Sequence, residues 1–299
     1  MRGAHHALLP DGKRLHLQHG PIDIVAGAEG ASGEVAAAYR QAASFFETVL
    51  GDLVPELPAL RAPVLSDCPV SGGVARRMWR AARPHADAHV TPMIAVAGSV
   101  ADAVLAAMMA DRDLTRAYVN NGGDIALHLP AGAAPFRAAV AVDPAAPQLA
   151  GTIDIAADSP VRGIATSGAP GRSFSLGIAD SVTALARSAA AADAAATLIA
   201  NAVDLPGHPA VTRAAANTLD PDSDLGTRAV TVGVAALGAA DISAALDAGA
   251  ACAARLRRDG HVAAAFLSLQ GHTRTLDTGT SGTRSARATS PKGLAECHP

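Results

Sequence analysis

The stretch from Ala189 to Val203, AAAADAAATLIANAV, constrains the fold more than any other part of the chain. Its residues are almost all Ala, Leu, Ile or Val, which form helices readily and fill tightly packed interiors, so other elements have to cover it. Only Asp193, Thr197 and Asn201 break the pattern, and their spacing of four and four stacks all three on one helix face. A buried, unpaired carboxylate is costly, so Asp193 needs a cation, a hydrogen-bond donor or water. The spacing leaves two readings open. One is a satisfied polar seam between packed elements. The other is a hard metal ion, because one carboxylate, one hydroxyl and nearby carbonyls suit the octahedral oxygen ligation of magnesium.

Upstream, ATSGAPGRS (165–173) reads as a strand end opening into a loop. Gly168 and Gly171 would let backbone N–H groups approach a ligand, and Arg172 adds a planar fork suited to phosphate. Two earlier stretches have related character. In TPMIAVAGSVADAVLAAMMA (91–110), Gly98 and Ser99 open an expected helix whose first amides could receive an anion, and Asp102 lies one turn inside it. In RAYVNNGGDIALHL (116–129), two strands flank an Asn-Asn-Gly-Gly turn, and Asp124 follows it directly, placed to hold a ligand's hydroxyls or to stabilise the turn.

The rest of the chain reads as alternating strands and amphipathic helices. Residues 8–27 give two strands around Pro-Asp-Gly and Gly-Pro turns, followed by a helix over 34–50 capped by Ser32 and stopped at Gly51. A proline-broken connector (55–69) leads to a short helix over 72–83 carrying four arginines and the only tryptophan, with a solvated basic face as the expectation. His85, Asp87 and His89 alternate as zinc ligands on a strand would, but the neighbouring proline favours an exposed loop. Further strands are expected at 138–142, 152–156 and 162–166, continuing one antiparallel sheet, and in RAVTVGVAAL and HVAAAFLSLQG around a helix over 242–257. The Asp220, Asp222, Asp224 run lacks the glycine and glutamate positions of a calcium loop. From residue 271 on, the Ser, Thr, Gly and Arg content predicts a disordered tail.

Charged residues are 17%, aromatics 3% and the net charge −3, which argues against nucleic-acid binding. Cys68, Cys252 and Cys297 lack metal spacing and fit plain thiols in a reducing compartment. The N-terminus has no signal-like apolar segment, and no apolar stretch of spanning length escapes a Gly, Asp or Arg, so a cytoplasmic protein without membrane contact is expected. The expectation is α+β: mainly antiparallel sheet packed with helices, one compact domain over 1–270. An exposed alanine-rich helix face would suit a homodimer.

AVAGSVAD (95–102), VNNGGDI (119–125), IATSG (164–168) and ADAAAT (192–197) occur in the order and with the content of the motifs of ApbE-type flavin transferases, which the chain therefore resembles over 90–205. Over roughly 15–270 it is still more similar to a group of uncharacterised ApbE-like proteins sharing TPMxAVAGxxAD, NNGGDI and GRSFSLGIADSVT. The resemblance implies an ApbE-like fold and a site that binds FAD with magnesium and moves FMN onto a threonine or serine of an acceptor protein. Carried over by position, it implies that Asp193 and Thr197 bind the metal. Gly98, Ser99 and Asp102, then Asn121, Gly122, Gly123 and Asp124, and then Thr166, Ser167, Gly168 and Arg172 would lie around the flavin. Asp180 stands for the transferases' catalytic aspartate, with Arg172 on phosphate. Two positions depart from the transferase pattern: Ala97 stands where they have lysine, and their signature of histidine, Asp-Pro and Thr-Gly is missing. Three readings stay open: an FMN transferase or FAD pyrophosphate-cleaving enzyme, a flavin- or nucleotide-binding protein without catalysis, and an enzyme of other chemistry on a small anionic metabolite.

Overall fold

The computed structural model describes residues 3–141 and 149–276. Short turns and alternating apolar residues build the start of its main sheet from β1 (His5–Leu8), β2 (Arg14–His19) and β3 (Ile22–Gly30), paired antiparallel in sequence. Leu15, Leu17, Ile22, Ile24 and Ala26 are buried beneath α1 (Ser32–Leu53), which turns Ala38, Ala42, Phe46, Val49 and Leu53 inward at helical spacing. The helix begins at Ser32, without a side-chain cap, and runs through Gly51. Glycine stops a helix where the backbone turns left-handed, and Gly51 does not.

A short α2 (Leu57–Leu60) and α3 (Gly73–Ala82) lead to α4 (Val96–Met109), and then to β4 (Leu114–Asn121) and β5 (Asp124–His128). The hairpin β6 (Phe136–Ala141) and β7 (Leu149–Ile155) follows. Next come β8 (Gly163–Ser167), β9 (Ser181–Ala186), α5 (Ala189–Ala202), β10 (Val211–Ala215), α6 (Ala216–Leu219) and β11 (Ala229–Val234). The described chain ends with α7 (Ala239–Arg258), β12 (Ala264–Leu269) and β13 (His272–Leu276).

The main sheet has nine strands in the order β1-β2-β3-β4-β5-β8-β9-β12-β13, every neighbouring pair antiparallel. Helices α1, α4, α5 and α7 lie side by side against it, giving the expected α+β architecture of helices on an antiparallel sheet. The chain follows the same path twice: two strands, two helices and two strands as β2-β3-α1-α4-β4-β5, then as β8-β9-α5-α7-β12-β13. Each pass has its own core, one around Phe46, Met78 and Met108, the other around Ile178, Ile199, Leu246 and Leu267. The two passes meet where β5 pairs with β8 through only Ile125↔Ile164 and Ala126↔Gly163, and where α4 packs on α5.

Several expectations change. The hairpin β6–β7 forms a separate two-stranded sheet, whose Ala138 and Ile155 pack with Leu127, Ile164 and Leu185 in a third core, so it does not continue the main sheet. β10 pairs with β11, a strand that sequence alternation did not reveal. β13 pairs with β12, so the main sheet continues past residue 270, the expected end of the domain. Residues 277–299, with Cys297 and the rest of the expected tail, lie outside the described residues, as does Val142. The segment Pro92–Met109 is long and apolar enough by composition to cross a membrane, yet it contains α4, whose Val100, Ala101, Val104 and Met108 are packed in the first core.

Gly98 is the tightest point between the two passes. A Cβ there would fall 2.3 Å from the Ala189 carbonyl oxygen, a backbone contact that no rotamer change relieves. Gly98→Ala is expected to destabilise the fold by about 1–3 kcal/mol or more. Gly51→Ala, in open space within α1, is expected to stabilise it by roughly 0.5–1 kcal/mol. Urea unfolding of both variants checks the contrast, and equal midpoints would contradict it.

Candidate functional site

With α4 and α5 this close, the first turn of each faces the first turn of the other. Their amides have no partners within their own helices, and each helix supplies an aspartate to the other. Asp102 of α4 accepts from Ala189 N through Oδ1 at 3.0 Å and from Ala190 N through Oδ2 at 2.9 Å. Asp193 of α5 accepts from Gly98 N through Oδ2 at 3.0 Å. Ser188 completes the α5 cap, accepting from Ala191 N at 3.2 Å. In each helix the aspartate stands one turn inside the contact.

The sheet brings a third acid. Asp124 opens β5 with 8% of its surface exposed, and its Oδ1 accepts from Thr166 N of β8 at 3.3 Å. Across the turn, Asn121 pairs with it in register and donates from Nδ2 to the Ala97 carbonyl at 3.1 Å. Gly122 and Gly123 make that turn with φ of +64° and +114°, conformations that side chains disfavour. Arg172 crosses over it: a Cβ on Gly122 would lie 2.0 Å from its Nη2.

Three carboxyls in one small volume cannot all ionise freely. Burial pushes Asp124 up to about 7, opposed by the Thr166 amide and by the charge of Arg172. Burial also drives Asp193 well above the usual carboxylate range, and the charge of Asp124 raises it further against the Gly98 amide. Asp102 is raised as well by burial, with the Ala190 and Ala189 amides pulling it back. Chemically this is a pair of hard oxygen donors, Asp124 and Asp193, that resist being charged together. Thr197 lies one turn further along α5, and its hydroxyl has no hydrogen-bond partner among the described residues. No group of three His, Cys, Asp or Glu side chains that could hold a metal is found among the described residues. A cation here would therefore also need the hydroxyl, backbone carbonyls or ligand oxygens.

The structure thus gathers Gly98, Asp102, Asn121, Gly122, Gly123, Asp124, Thr166, Arg172 and Asp193, drawn from both passes of the chain. Several of them act differently from expectation. The N-terminus of α4 is not open to an anion, because Asp193 occupies the Gly98 amide. Asp102 caps α5, and Ser99 is fully buried with its hydroxyl unpartnered. Thr166 contributes its amide, while its hydroxyl pairs with Thr183 Oγ1 at 2.9 Å. Ser167, half-buried, ends β8.

Gly168 is a packing residue, since a Cβ would meet the Asp180 carbonyl oxygen at 2.4 Å. The loop amides of Ala169 and Gly171 are spent on Ala179 O and Gly168 O. Asp180 accepts from Gln270 N at 2.5 Å beside the β12–β13 turn, so its carboxylate holds backbone there. Asn201, the third polar residue of α5, accepts from Leu176 N at 3.0 Å and steadies the segment that follows Arg172. Arg213 supports the same segment through the Leu176 carbonyl and an ion pair with Asp204. Nothing in the sequence around that lone arginine signals this support. His85 packs edge-on against His261 with centroids 4.8 Å apart, while Asp87 and His89 are exposed, so the three form no metal site.

A family model described as AbpE bacteria matches residues 6–275. A UPF0280 protein of Methanothermobacter thermautotrophicus is 36% identical over 152 residues, covering 50% of this chain and 55% of that protein. Another UPF0280 protein, from Archaeoglobus fulgidus, is 38% identical over 138 residues, covering 44% and 52%. The chain spans about half the length of these curated relatives. Among solved structures, the apo form of the Pseudomonas stutzeri flavinyl transferase ApbE aligns with a TM-score of 0.47 at 12% identity, over 92% of this chain and 94% of that one. The ApbE protein of Thermotoga maritima aligns with a TM-score of 0.44 at 13% identity, over 91% and 96%.

The acid pair has a measurable consequence without any ligand. Asp124 moves from an ordinary 3.8 to about 7 on folding, so the native state keeps a proton that the unfolded chain releases. The stability this contributes is complete below pH 3.8 and is lost as pH rises through about 7. In EDTA, the wild type is expected to lose on the order of 2–4 kcal/mol relative to Asp124→Asn between about pH 5 and pH 8. Urea midpoints across that range check it; parallel curves would contradict the assignment.

Proposed function

This chain belongs to the AbpE bacteria family, and on that premise we propose that it is a magnesium-dependent enzyme that binds FAD and opens its pyrophosphate to deliver FMN to an acceptor hydroxyl. The observation that carries the reading is the pair Asp124, buried, and Asp193, half-buried, the charge of the first raising the second, in a place bounded by the residues of the flavin-transferase motifs. A divalent cation is the partner that would let both remain ionised. The donor chemistry fits magnesium: Asp193, Asp124 and Thr197 offer only hard oxygens.

Bound there, magnesium would neutralise pyrophosphate charge and polarise the phosphorus under attack. The chain's own residues do the rest. Arg172, exposed and held over the Gly122-Gly123 turn, presents its fork to a phosphate. It supplies a positive charge in a site where Ala97 brings none. The glycine turn lets backbone approach the ligand closely, and Asn121 fixes the entry to α4 through the Ala97 carbonyl. Asp180 acts as a positioning residue through its hold on Gln270. The exposed thiol of Cys68 and the buried thiol of Cys252 suit the reducing cytoplasm.

A second reading, flavin binding without turnover, is favoured by the absence of a lysine at Ala97 and by the engagement of the Asp180 carboxylate.

Calorimetric titration with FAD, with and without magnesium, tests the proposal when combined with chromatography for FMN and AMP. From the wild type we expect magnesium-dependent binding and AMP release, with FMN either freed by transfer to water or joined to the hydroxyl of an added protein substrate bearing accessible threonine and serine. Asp193→Asn keeps an acceptor for the Gly98 amide but removes the charge, and is expected to weaken magnesium-dependent binding at least about tenfold, roughly 1.4 kcal/mol. Thr197→Val should act in the same direction. Binding without products would support the second reading, and no flavin binding under any condition would refute both.

A further inference from the structure

Helix α3 and its C-cap carry four arginines, of which Arg80 and Arg83 suit the C-terminal end while Arg76 and Arg77 do not suit their place. Val74, Ala75, Met78 and Ala82 face inward against α4, α5 and the turn at Pro92–Ala95. Arg76, Arg77, Arg80 and the following Arg83 are all exposed. Their spacing puts the four along one outward stripe. Arg76 and Arg77 stand near the N-terminus, where the helix dipole disfavours cations, and no acidic residue occupies the first turn.

Four arginines elsewhere have carboxylate partners, Arg14 with Asp11, Arg116 with Glu29, Arg137 with Asp154 and Arg274 with Asp247. Exposed ones such as Arg40 and Arg187 stand singly, so what sets α3 apart is four on one short helix. None of the four on the α3 stripe makes an ion pair within 4 Å among the described residues, and the one hydrogen bond they make there is Arg76 Nε donating to the Val70 carbonyl at 3.3 Å. The nearby Glu56 carboxylate takes its hydrogen bonds from Ser71 N, Ser71 Oγ and Gly72 N, each through Oε1 at 2.8–2.9 Å, and feels the charge of Arg76 from a longer distance. In a protein of net charge −3, such a stripe is a local reversal of sign.

Beside it lies a cleft of about 290 Å³ between α1, α3 and α4, walled by Phe45, Val49, Leu53, Val74 and Ala103, with Arg77 on its wall. An apolar recess with one guanidinium on its wall and three more along the same exposed helix face has a definite complement: apolar side chains flanked by carboxylates. We propose that α3 and this cleft form a docking surface for an acidic protein segment, with one or two apolar side chains in the cleft and its carboxylates on Arg76, Arg77, Arg80 and Arg83. Arginine forks match carboxylates in a two-point geometry that lysine would not provide. The stripe is one helix of ten residues, about 15 Å long. It borders a concave apolar wall rather than a row of stacking rings, which favours a peptide over a nucleic acid. The concave recess suits an anchored side chain better than a flat anionic bilayer, and Asp52 on its wall requires the segment's carboxylates to lie along α3. This inference does not depend on the flavin reading.

The test uses the whole chain without flavin or added metal. Fluorescence anisotropy follows a labelled peptide of sequence Glu-Glu-Leu-Glu-Glu-Leu-Glu-Glu, with an oligodeoxythymidine of equal charge and phosphatidylserine vesicles as competitors. The wild type is expected to bind the peptide, with affinity falling as salt rises to about 0.3 M. The combined Arg76→Gln, Arg77→Gln and Arg80→Gln variant should lose at least about tenfold while keeping its thermal midpoint. Arg257→Gln with Arg258→Gln, at the far end of α7, should change nothing. Ala106→Trp, at an exposed position on the cleft wall, should weaken the leucine-bearing peptide but not an all-glutamate one. Failure of the wild type to bind the peptide, equal binding by the triple variant, or displacement by oligonucleotide or vesicle at lower concentration than by unlabelled peptide would each overturn the proposal.

Discussion

Two helix N-termini pointed at one another repel, because each ends in unpaired N–H groups and the positive pole of its dipole. The α4–α5 crossing exists because each helix places a carboxylate in the other's first turn, Asp102 on Ala189 and Ala190, Asp193 on Gly98. Much of the molecule depends on this exchange. It requires Gly98, since any side chain would strike the α5 backbone, and it favours the small residues that open α5. It also joins the two passes of the chain at a level where the sheet contributes only the short β5–β8 pairing. Asp102 and Asp193 are half-buried because the helices are close, and the basicity of their carboxylates rises as water is excluded.

The candidate site grows directly out of that joint. Asp193 both caps α4 and faces Asp124, so one carboxyl serves the packing of the halves and the chemistry between them. Asp102 takes only the structural part and is fully engaged by two amides. The same division runs through the glycines: Gly98 and Gly168 are required by neighbouring backbone, whereas Gly122 and Gly123 are required by their own turn and leave room above it for Arg172.

How much of this could be read in the sequence depended on the distance over which each residue acts. The helix over Ala189–Ala202, the hairpin around Gly122-Gly123 and the inward face of α1 were legible because composition and spacing decide them locally. The grouping of Asp193 with Gly98 and Asp124 was legible only through the resemblance of four motifs in register. The role of Asp102 was not legible, since its partners lie 87 and 88 residues away and a lone aspartate one turn into a helix has the same appearance whether it meets a ligand or another helix. The same limit applies to Asp180 and Gln270, separated by 90 residues. It also applies to β10, whose partner strand decides its pairing. Local chemistry favoured a cap at Ser32 and a stop at Gly51, and tertiary packing of α1 prevailed over both.

The span of those contacts bears on how the molecule acquires its site. Hairpins such as β2–β3, β4–β5 and β12–β13 close short loops, whereas the Gly98–Asp193 and Asp124–Thr166 bonds bring together residues 95 and 42 positions apart and must wait for both cores to approach one another. A chain with one pass folded and the other still open has its strands and an ordinary hydrophobic core but no acid pair. Assembly of the centre is then a late event, and its presence reports that the whole chain has folded.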